Sequence, residues 1–278
     1  MCYYSVHTPI EAKQEKIGKY KKKAEAMGLD KIRTFEEGEL FPWVGNSSNE
    51  GPRVVRRLVQ SDPAYAAMIE SLDENIGRLL NAVDDAGKTE ETIVFFTSDN
   101  GGLATSEGSP TCNAPLAEGK GWMYEGGTRE PLIVKWPGVV EAGSRCDTPV
   151  TSPDFYPTML EMAGLPLIPE QHCDGVSIML LLKGSGVLER EAIFWHYPHY
   201  GNQGGTPGSS VRSGDYKLIE FFEDGSLELY DLRNDPGEDN SLIGAEQAVA
   251  ERLHKTLVKW REDVEAKIPQ RNPDFEGP

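Results

Sequence analysis

The chain has 278 residues, enough for one large domain or two modest ones. Its 38% hydrophobic and 26% charged residues describe a globular chain and exclude a fibrous protein or wholesale disorder. The 28 basic residues against 45 acidic ones give a net charge of −17, which argues against nucleic acid or an anionic membrane as the main partner. An anionic small substrate is still allowed, because a metal ion and a few local cations can invert the field inside one pocket.

No apolar run reaches the ~18 to 20 residues that a membrane helix needs. The opening Met1-Cys2-Tyr3-Tyr4-Ser5-Val6 has no basic start and no long apolar core, so it does not read as a signal peptide. Cys2, Cys112, Cys146 and Cys173 lie far apart with no C-x-x-C, which disfavours a zinc knuckle or a disulfide-dense scaffold. An isolated disulfide stays open.

Cys2 to Val6 reads as a short strand, followed at once by the turn His7-Thr8-Pro9. Domains rarely begin inside a core strand, so the chain reads as the later part of a longer protein. Residues 11 to 27 predict a charged surface helix, whose lysines from Lys16 to Lys23 form a solvated face. Residues 30 to 53 lack periodicity and predict a long surface connection. Asp62 is a good N-cap, Pro63 suits the first helical position, and Tyr65, Met68, Ile69, Leu72, Ile76, Leu79, Leu80 and Val83 then share one face up to Gly87.

Thr92 to Thr97 is apolar and β-rich without alternation, the pattern of a strand buried on both faces of a parallel sheet. Leu132 to Trp136 predicts another strand, and Ser152 is placed to cap a further helix that stops at Gly164. Alternating helices and strands predict an α/β layer. The pattern changes near residue 190. Ala192–His196, Ser209–Ser213, Asp215–Phe222 and Leu227–Leu232 predict short strands, with Asp224-Gly225 as a hairpin turn. A last helix carries Val249, Leu253, Leu257, Trp260, Val264 and Ile268 on one face. The expected division is 1–190 for the α/β part and 191–278 for a small α+β subdomain, an antiparallel sheet with a helix across it.

Ser98-Asp99-Asn100-Gly101-Gly102 follows a predicted strand, where α/β sheets present ligands. Asp99 and Asn100 offer oxygen ligands for a hard cation such as Ca²⁺ or Mg²⁺; an ordinary Asx turn is the competing reading. Lys120 lies between Gly119 and Gly121, on a loop from which its ammonium could reach an oxyanion, and Glu125 and Arg129 look suited to pinning that loop. His7, after its predicted strand, can donate to a ligand oxygen or serve as a general acid, or be a plain polar strand terminus. Trp195-His196-Tyr197-Pro198-His199-Tyr200 leads into a glycine-rich loop, Gly201 to Gly208. Aromatic and histidine side chains beside such a loop suit a sugar-like ligand, with a packed strand end as the alternative for His196 and His199.

Together these pieces resemble the sulfatase family, the formylglycine-dependent, arylsulfatase-like branch of the alkaline-phosphatase-like superfamily. The resemblance is carried by Tyr4-Ser5-Val6-His7-Thr8-Pro9-Ile10, Tyr65-Ala66-Ala67-Met68-Ile69-Glu70-Ser71-Leu72-Asp73, Thr97-Ser98-Asp99-Asn100-Gly101-Gly102 and Gly119-Lys120-Gly121 leading into Glu125-Gly126-Gly127-Thr128-Arg129-Glu130-Pro131. Pro153-Asp154-Phe155-Tyr156-Pro157-Thr158 and Leu229-Tyr230-Asp231-Leu232-Arg233-Asn234-Asp235-Pro236-Gly237-Glu238 extend it over nearly the whole chain.

The resemblance implies an alkaline-phosphatase-like mixed sheet flanked by helices and a sulfuric ester hydrolase acting on an aryl sulfate or sulfated carbohydrate. It implies that Asp99 and Asn100 bind a divalent metal, usually Ca²⁺, that Lys120 contacts sulfate oxygens and that His7 contacts the ester near its leaving oxygen. His196 and His199 fall near the pocket rim of similar sulfatases. The family's nucleophile is a formylglycine hydrate made from cysteine or serine in C/S-x-P-x-R. No such motif occurs in this sequence: Cys112-Asn113-Ala114-Pro115-Leu116 has its proline one position late and lacks the arginine. The early Asp-Asp metal pair and the first Lys-x-His segment are absent too. The expectation is therefore half of a site, with the formylglycine in an upstream segment and a periplasmic or secreted full-length protein. A phosphoryl or phosphonate ester hydrolase of the same superfamily, or a non-catalytic remnant, is the alternative.

Overall fold

The computed structural model describes residues 1–42, 51–270, 272 and 273. Elements run in the order α1 (Gln14–Ala26), β1 (Phe35–Leu40), β2 (Arg53–Arg57), α2 (Pro63–Asp85), β3 (Val94–Thr97), α3 (Glu125–Thr128), β4 (Leu132–Lys135), α4 (Phe155–Met162), α5 (Met179–Leu182), β5 (Ile193–Tyr197), β6 (Gly208–Ser213), β7 (Tyr216–Phe221), β8 (Leu227–Asp231) and α6 (Gln247–Asp263). They form two compact units, one of Met1–Leu79, Ser98–Glu130 and Phe194–Pro278, the other of Leu80–Thr97 and Pro131–Ile193. The chain crosses between the units at 79–80, 97–98, 130–131 and 193–194.

In the first unit β5, β6, β7 and β8 lie in that order in one sheet, with β6–β7 and β7–β8 antiparallel. The register Ser213↔Tyr216 at one end and Glu220↔Leu227 at the other follows from two tight turns. Gly225 supplies the left-handed residue at φ 71°, and Asp224 accepts from the Ser226 amide at 2.9 Å, as the Asp-Gly pair predicts. Helix α6 packs on β6 and β7. It buries Ala250, Leu253 and Leu257, each leucine worth about 2 to 3 kcal/mol of apolar burial. Trp260 stacks on Phe194 with ring centroids 4.7 Å apart. The helix stops at Asp263, so the expected Val264 and Ile268 lie past its end, about half exposed. A core of Met123, Ile219, Tyr230 and Leu232, with Tyr124, Trp195 and Phe221 against it, seats the 119–128 loop on this sheet.

Helix α2 begins as expected: Asp62 Oδ1 accepts from the amides of Ala64 at 2.8 Å and Tyr65 at 3.0 Å. The connection expected over 30–53 instead contains β1, paired antiparallel with β2; residues 43–50 of it lie outside the described residues. Phe35-Glu36-Glu37-Gly38-Glu39-Leu40 is too acidic and exposed to show apolar alternation. The strand expected over Cys2–Val6 does not form. Residues 1–5 are exposed, and the His7 amide bonds the Tyr4 carbonyl at 3.0 Å, turning the chain before any ladder can start.

In the second unit β3 pairs antiparallel with β4, Val94 opposite Lys135 and Thr97 opposite Leu132. This replaces the expected parallel strand buried on both faces: Phe96 and Ile133 are 39% and 62% exposed. An unbroken apolar run reports a good strand former but not its partner's direction. The cap of the helical stretch before α4 sits one residue early, on Thr151, whose amide bonds Asp154 Oδ2 at 2.7 Å. Asp154 is fully buried and also accepts from Arg190 at 2.7 and 2.9 Å and from the Val176 amide at 3.0 Å.

Candidate active site

The site residues come from three stretches of the first unit. Backbone bonds fix the loop after β3: the Gly101 amide donates to the Gly127 carbonyl at 3.2 Å, and the Lys120 amide donates to the Gly102 carbonyl at 3.1 Å. Asn113 completes the lacing. Its carboxamide bonds both backbone groups of Gly102, at 3.1 and 2.8 Å, and the Glu118 carbonyl at 2.8 Å. A Cβ on Gly101 would lie 1.7 Å from the Gly126 carbonyl oxygen, so the close approach requires glycine.

This lacing ties the Lys120 backbone to Gly102, two positions along the chain from Asn100. The Lys120 side chain then reaches His7, Nζ to Nε2, at 3.1 Å. An ammonium has only donors, so Nε2 accepts, and the imidazole proton sits on Nδ1, 2.8 Å from the Thr8 carbonyl. The imidazole also packs on Tyr4, centroids 5.1 Å apart.

Asp99 is exposed, and its Oδ1 accepts from the Asn100 amide at 3.1 Å, an Asx-type arrangement. Burial pushes the carboxyl of nearby Glu130 up to about 7, and the charge of Asp99 adds to the rise. A hard cation shared by Asp99 and Asn100 would relieve that crowding of negative charge. The donor set therefore fits a divalent metal in kind, though among the described residues no group of three or more His, Cys, Asp or Glu stands ready to hold one.

Glu125 is buried and pins the loop, as its place in the motif suggested. Lys217 Nζ, fully buried, lies 3.1 Å from Glu125 Oε1 and 3.2 Å from Glu238 Oε1. Glu238 Oε2 accepts from the Glu125 amide at 2.6 Å, and Arg212 lies 3.2 Å from Glu125. Arg129 is the looser partner, 3.8 Å from Glu125 and half exposed.

His196 is not brought to Lys120. Its ring nitrogens are both engaged, with Ser209 Oγ at 2.6 Å and the Lys267 carbonyl at 2.9 Å, and its ring packs against Phe222 and Trp260. This is the packed strand end. His199 is exposed, edge-on to Tyr197. The glycine-rich loop does approach the site, through another residue: a Cβ on Gly121 would sit 2.6 Å from Gln203 Oε1. Gln203, Asn113 and Glu130 were missed in the sequence. Glu130 lay inside the Glu125 to Pro131 motif and Gln203 inside the glycine-rich loop, while nothing in the local pattern marks Asn113.

The family described as Sulfatase matches residues 1–165, and N-sulphoglucosamine sulphohydrolase, C-terminal, matches 118–263. A sulfatase of Formosa agariphila is 42% identical over 227 residues, covering 73% of this chain and 40% of the relative. An N-acetylglucosamine-6-O-sulfatase of Bacteroides thetaiotaomicron is 32% identical over 215 residues, covering 76% of this chain and 36% of the relative. The crystal structure of Ps i-CgsB superposes with a TM-score of 0.69 at 26% identity, over 94% of this chain and 49% of that one. The chain thus spans about two fifths of the length of the curated relatives it matches. Its fold is that of the alkaline-phosphatase-like sulfatases, and the chain belongs to the sulfatase family.

Proposed function

We propose that this chain supplies the oxyanion-binding half of a sulfuric ester hydrolase site. The observation that carries the reading is the hydrogen bond between Lys120 and His7, with the Lys120 amide tied to Gly102 at the end of the Asp99-Asn100-Gly101-Gly102 stretch. Lys120 would donate to sulfate oxygens and offset their charge. His7 Nε2 accepts from Lys120 and orients its ammonium; on taking a proton, the same nitrogen would donate to the leaving oxygen. Asp99 and Asn100 would hold the divalent cation, Ca²⁺ being the natural choice for hard oxygen ligands, and the cation would offset charge on the transferring group. No residue here matches the C/S-x-P-x-R source of formylglycine, so these roles are binding, charge neutralisation and proton placement.

The substrate class that fits is a small sulfate ester, foremost a sulfated sugar. The names of the matching family and of one relative, both sugar sulfatases, support it, with His199 and the glycine-rich loop as the sugar-facing elements. A periplasmic or secreted setting goes with such substrates. Among the described residues no helix is long and apolar enough to cross a membrane. A phosphoryl or phosphonate ester is the second reading, because a lysine–histidine pair neutralises any tetrahedral oxyanion.

The test is turnover of an aryl sulfate, N-acetylglucosamine 6-sulfate and an aryl phosphate. Residues 1–278 are assayed alone, then joined to an upstream segment bearing a matured C-x-P-x-R. The short chain is expected to be inactive and the joined protein to hydrolyse sulfate esters, with the activity lost in Lys120→Ala. Turnover of the phosphate ester alone would favour the second reading.

A further inference from the structure

Glu107 has no place in the site as described, yet it touches two of its parts. It is an exposed residue held at φ 51°, in the left-handed region that a glutamate adopts only at a cost. Its Oε2 accepts from Thr8 Oγ1 at 2.7 Å, and its Oε1 accepts from Asn202 Nδ2 at 3.2 Å. Thr8 follows His7. Asn202 precedes Gln203, whose carbonyl accepts from Thr105 Oγ1 at 2.6 Å and from Trp122 Nε1 at 3.1 Å.

We propose that Glu107 is a positioning residue: through Thr8 it fixes the His7 tautomer that faces Lys120, and through Asn202 it holds the glycine-rich loop beside them. The inference rests on the oxyanion-site reading above. A carboxylate only accepts, so the single hydroxyl proton of Thr8 points at Glu107. Thr8 Oγ1 then shows a lone pair towards His7 Nδ1, 3.5 Å away, and the Thr8 carbonyl is a second acceptor at 2.8 Å. Two acceptors around Nδ1 keep the imidazole proton there and leave Nε2 free to accept from Lys120 at 3.1 Å. Without Glu107 the Thr8 hydroxyl can turn and donate to Nδ1. That favours the other tautomer, whose Nε2–H would face the Lys120 donors head on.

The test is nitrogen-15 NMR of the His7 ring in residues 1–278, at a pH where imidazole is neutral, without ligand. The wild type is expected to show Nδ1–H. Glu107→Ala should shift the ring towards Nε2–H. Glu107→Gln, whose amide oxygen still accepts from Thr8 while a flipped Asn202 amide meets its nitrogen, should keep Nδ1–H. Asn202→Ala should leave the tautomer alone. Inorganic sulfate affinity is read in parallel and should fall about fivefold in Glu107→Ala, the effect of one lost hydrogen bond. A wild-type Nε2–H ring, or a Glu107→Ala ring unchanged from wild type, overturns the proposal even if sulfate binds. If the wild type binds no sulfate while the tautomers behave as expected, the oxyanion reading fails and the positioning role stands. The wild-type and Glu107→Gln spectra decide the matter should Glu107→Ala fail to fold.

Discussion

Lys120 Nζ and His7 Nε2 stand 3.1 Å apart, although 113 residues separate them in the chain. Two polar groups from distant segments share a hydrogen bond at a partly open position, with Tyr4 against the imidazole. His7→Phe keeps that ring contact and removes Nε2. It is expected to lower inorganic sulfate affinity roughly fivefold, read by calorimetry, with little change in melting temperature. An unchanged affinity would remove His7 from the site.

Two glycines should behave in opposite ways. Gly101→Ala places a methyl 1.7 Å from the Gly126 carbonyl oxygen, a backbone atom that cannot step aside. The variant is expected to lose sulfate binding and to melt earlier, because the Asp99 and Lys120 loops are laced at this point. Gly77→Ala, in the middle of α2 with nothing within 4 Å of the new methyl, should stabilise by about 0.5 to 1 kcal/mol. Thermal melts of both variants check the contrast.

Glu238 gives a pH signature. Burial pushes its carboxyl up to about 7, against the opposing pull of Lys217. The folded state therefore holds this proton more tightly than the unfolded state. The stability it contributes is fully present below the ordinary carboxylate range and is lost as pH rises towards about 7. Glu238→Gln should flatten that part of the melting-temperature profile relative to wild type. A variant profile parallel to wild type would contradict the assignment.

In the second unit the Asp154–Arg190 pair is the element to break. Asp154 is fully buried and takes two guanidinium bonds. Arg190→Ala leaves that carboxylate with backbone donors alone and is expected to cost about 3 kcal/mol in chemical denaturation. A loss under about 1 kcal/mol would show that the backbone donors suffice.

Much of this was legible in the sequence, and for reasons that differ by element. The Asp62 cap, the Asp224-Gly225 turn and α6 rest on contacts within a few residues, which the sequence carries whole. The Asp99-Asn100-Gly101-Gly102 and Gly119-Lys120-Gly121 loops were legible as motifs, because close backbone approach demands glycine. What failed depended on partners far along the chain. Cys2–Val6 has strand-like composition but turns at Tyr4. β1 is acidic and carries no alternation, yet it pairs with β2. The antiparallel partner of β3 is set by β4, some forty residues on. His196 looked available because the sequence does not show Ser209 and Lys267 closing on its two nitrogens. Asn113 and Glu107 were invisible for the same reason: each matters through bonds to segments it does not adjoin.

With Lys120 as the principal cation of an oxyanion site, inorganic sulfate should bind through its ammonium. Calorimetric titration of residues 1–278 with inorganic sulfate tests it most directly. Affinity on the order of millimolar is expected for the wild type, falling at least about tenfold in Lys120→Ala, a change of ~1.4 kcal/mol. No sulfate binding by the wild type, or equal affinity in the two proteins, would contradict it.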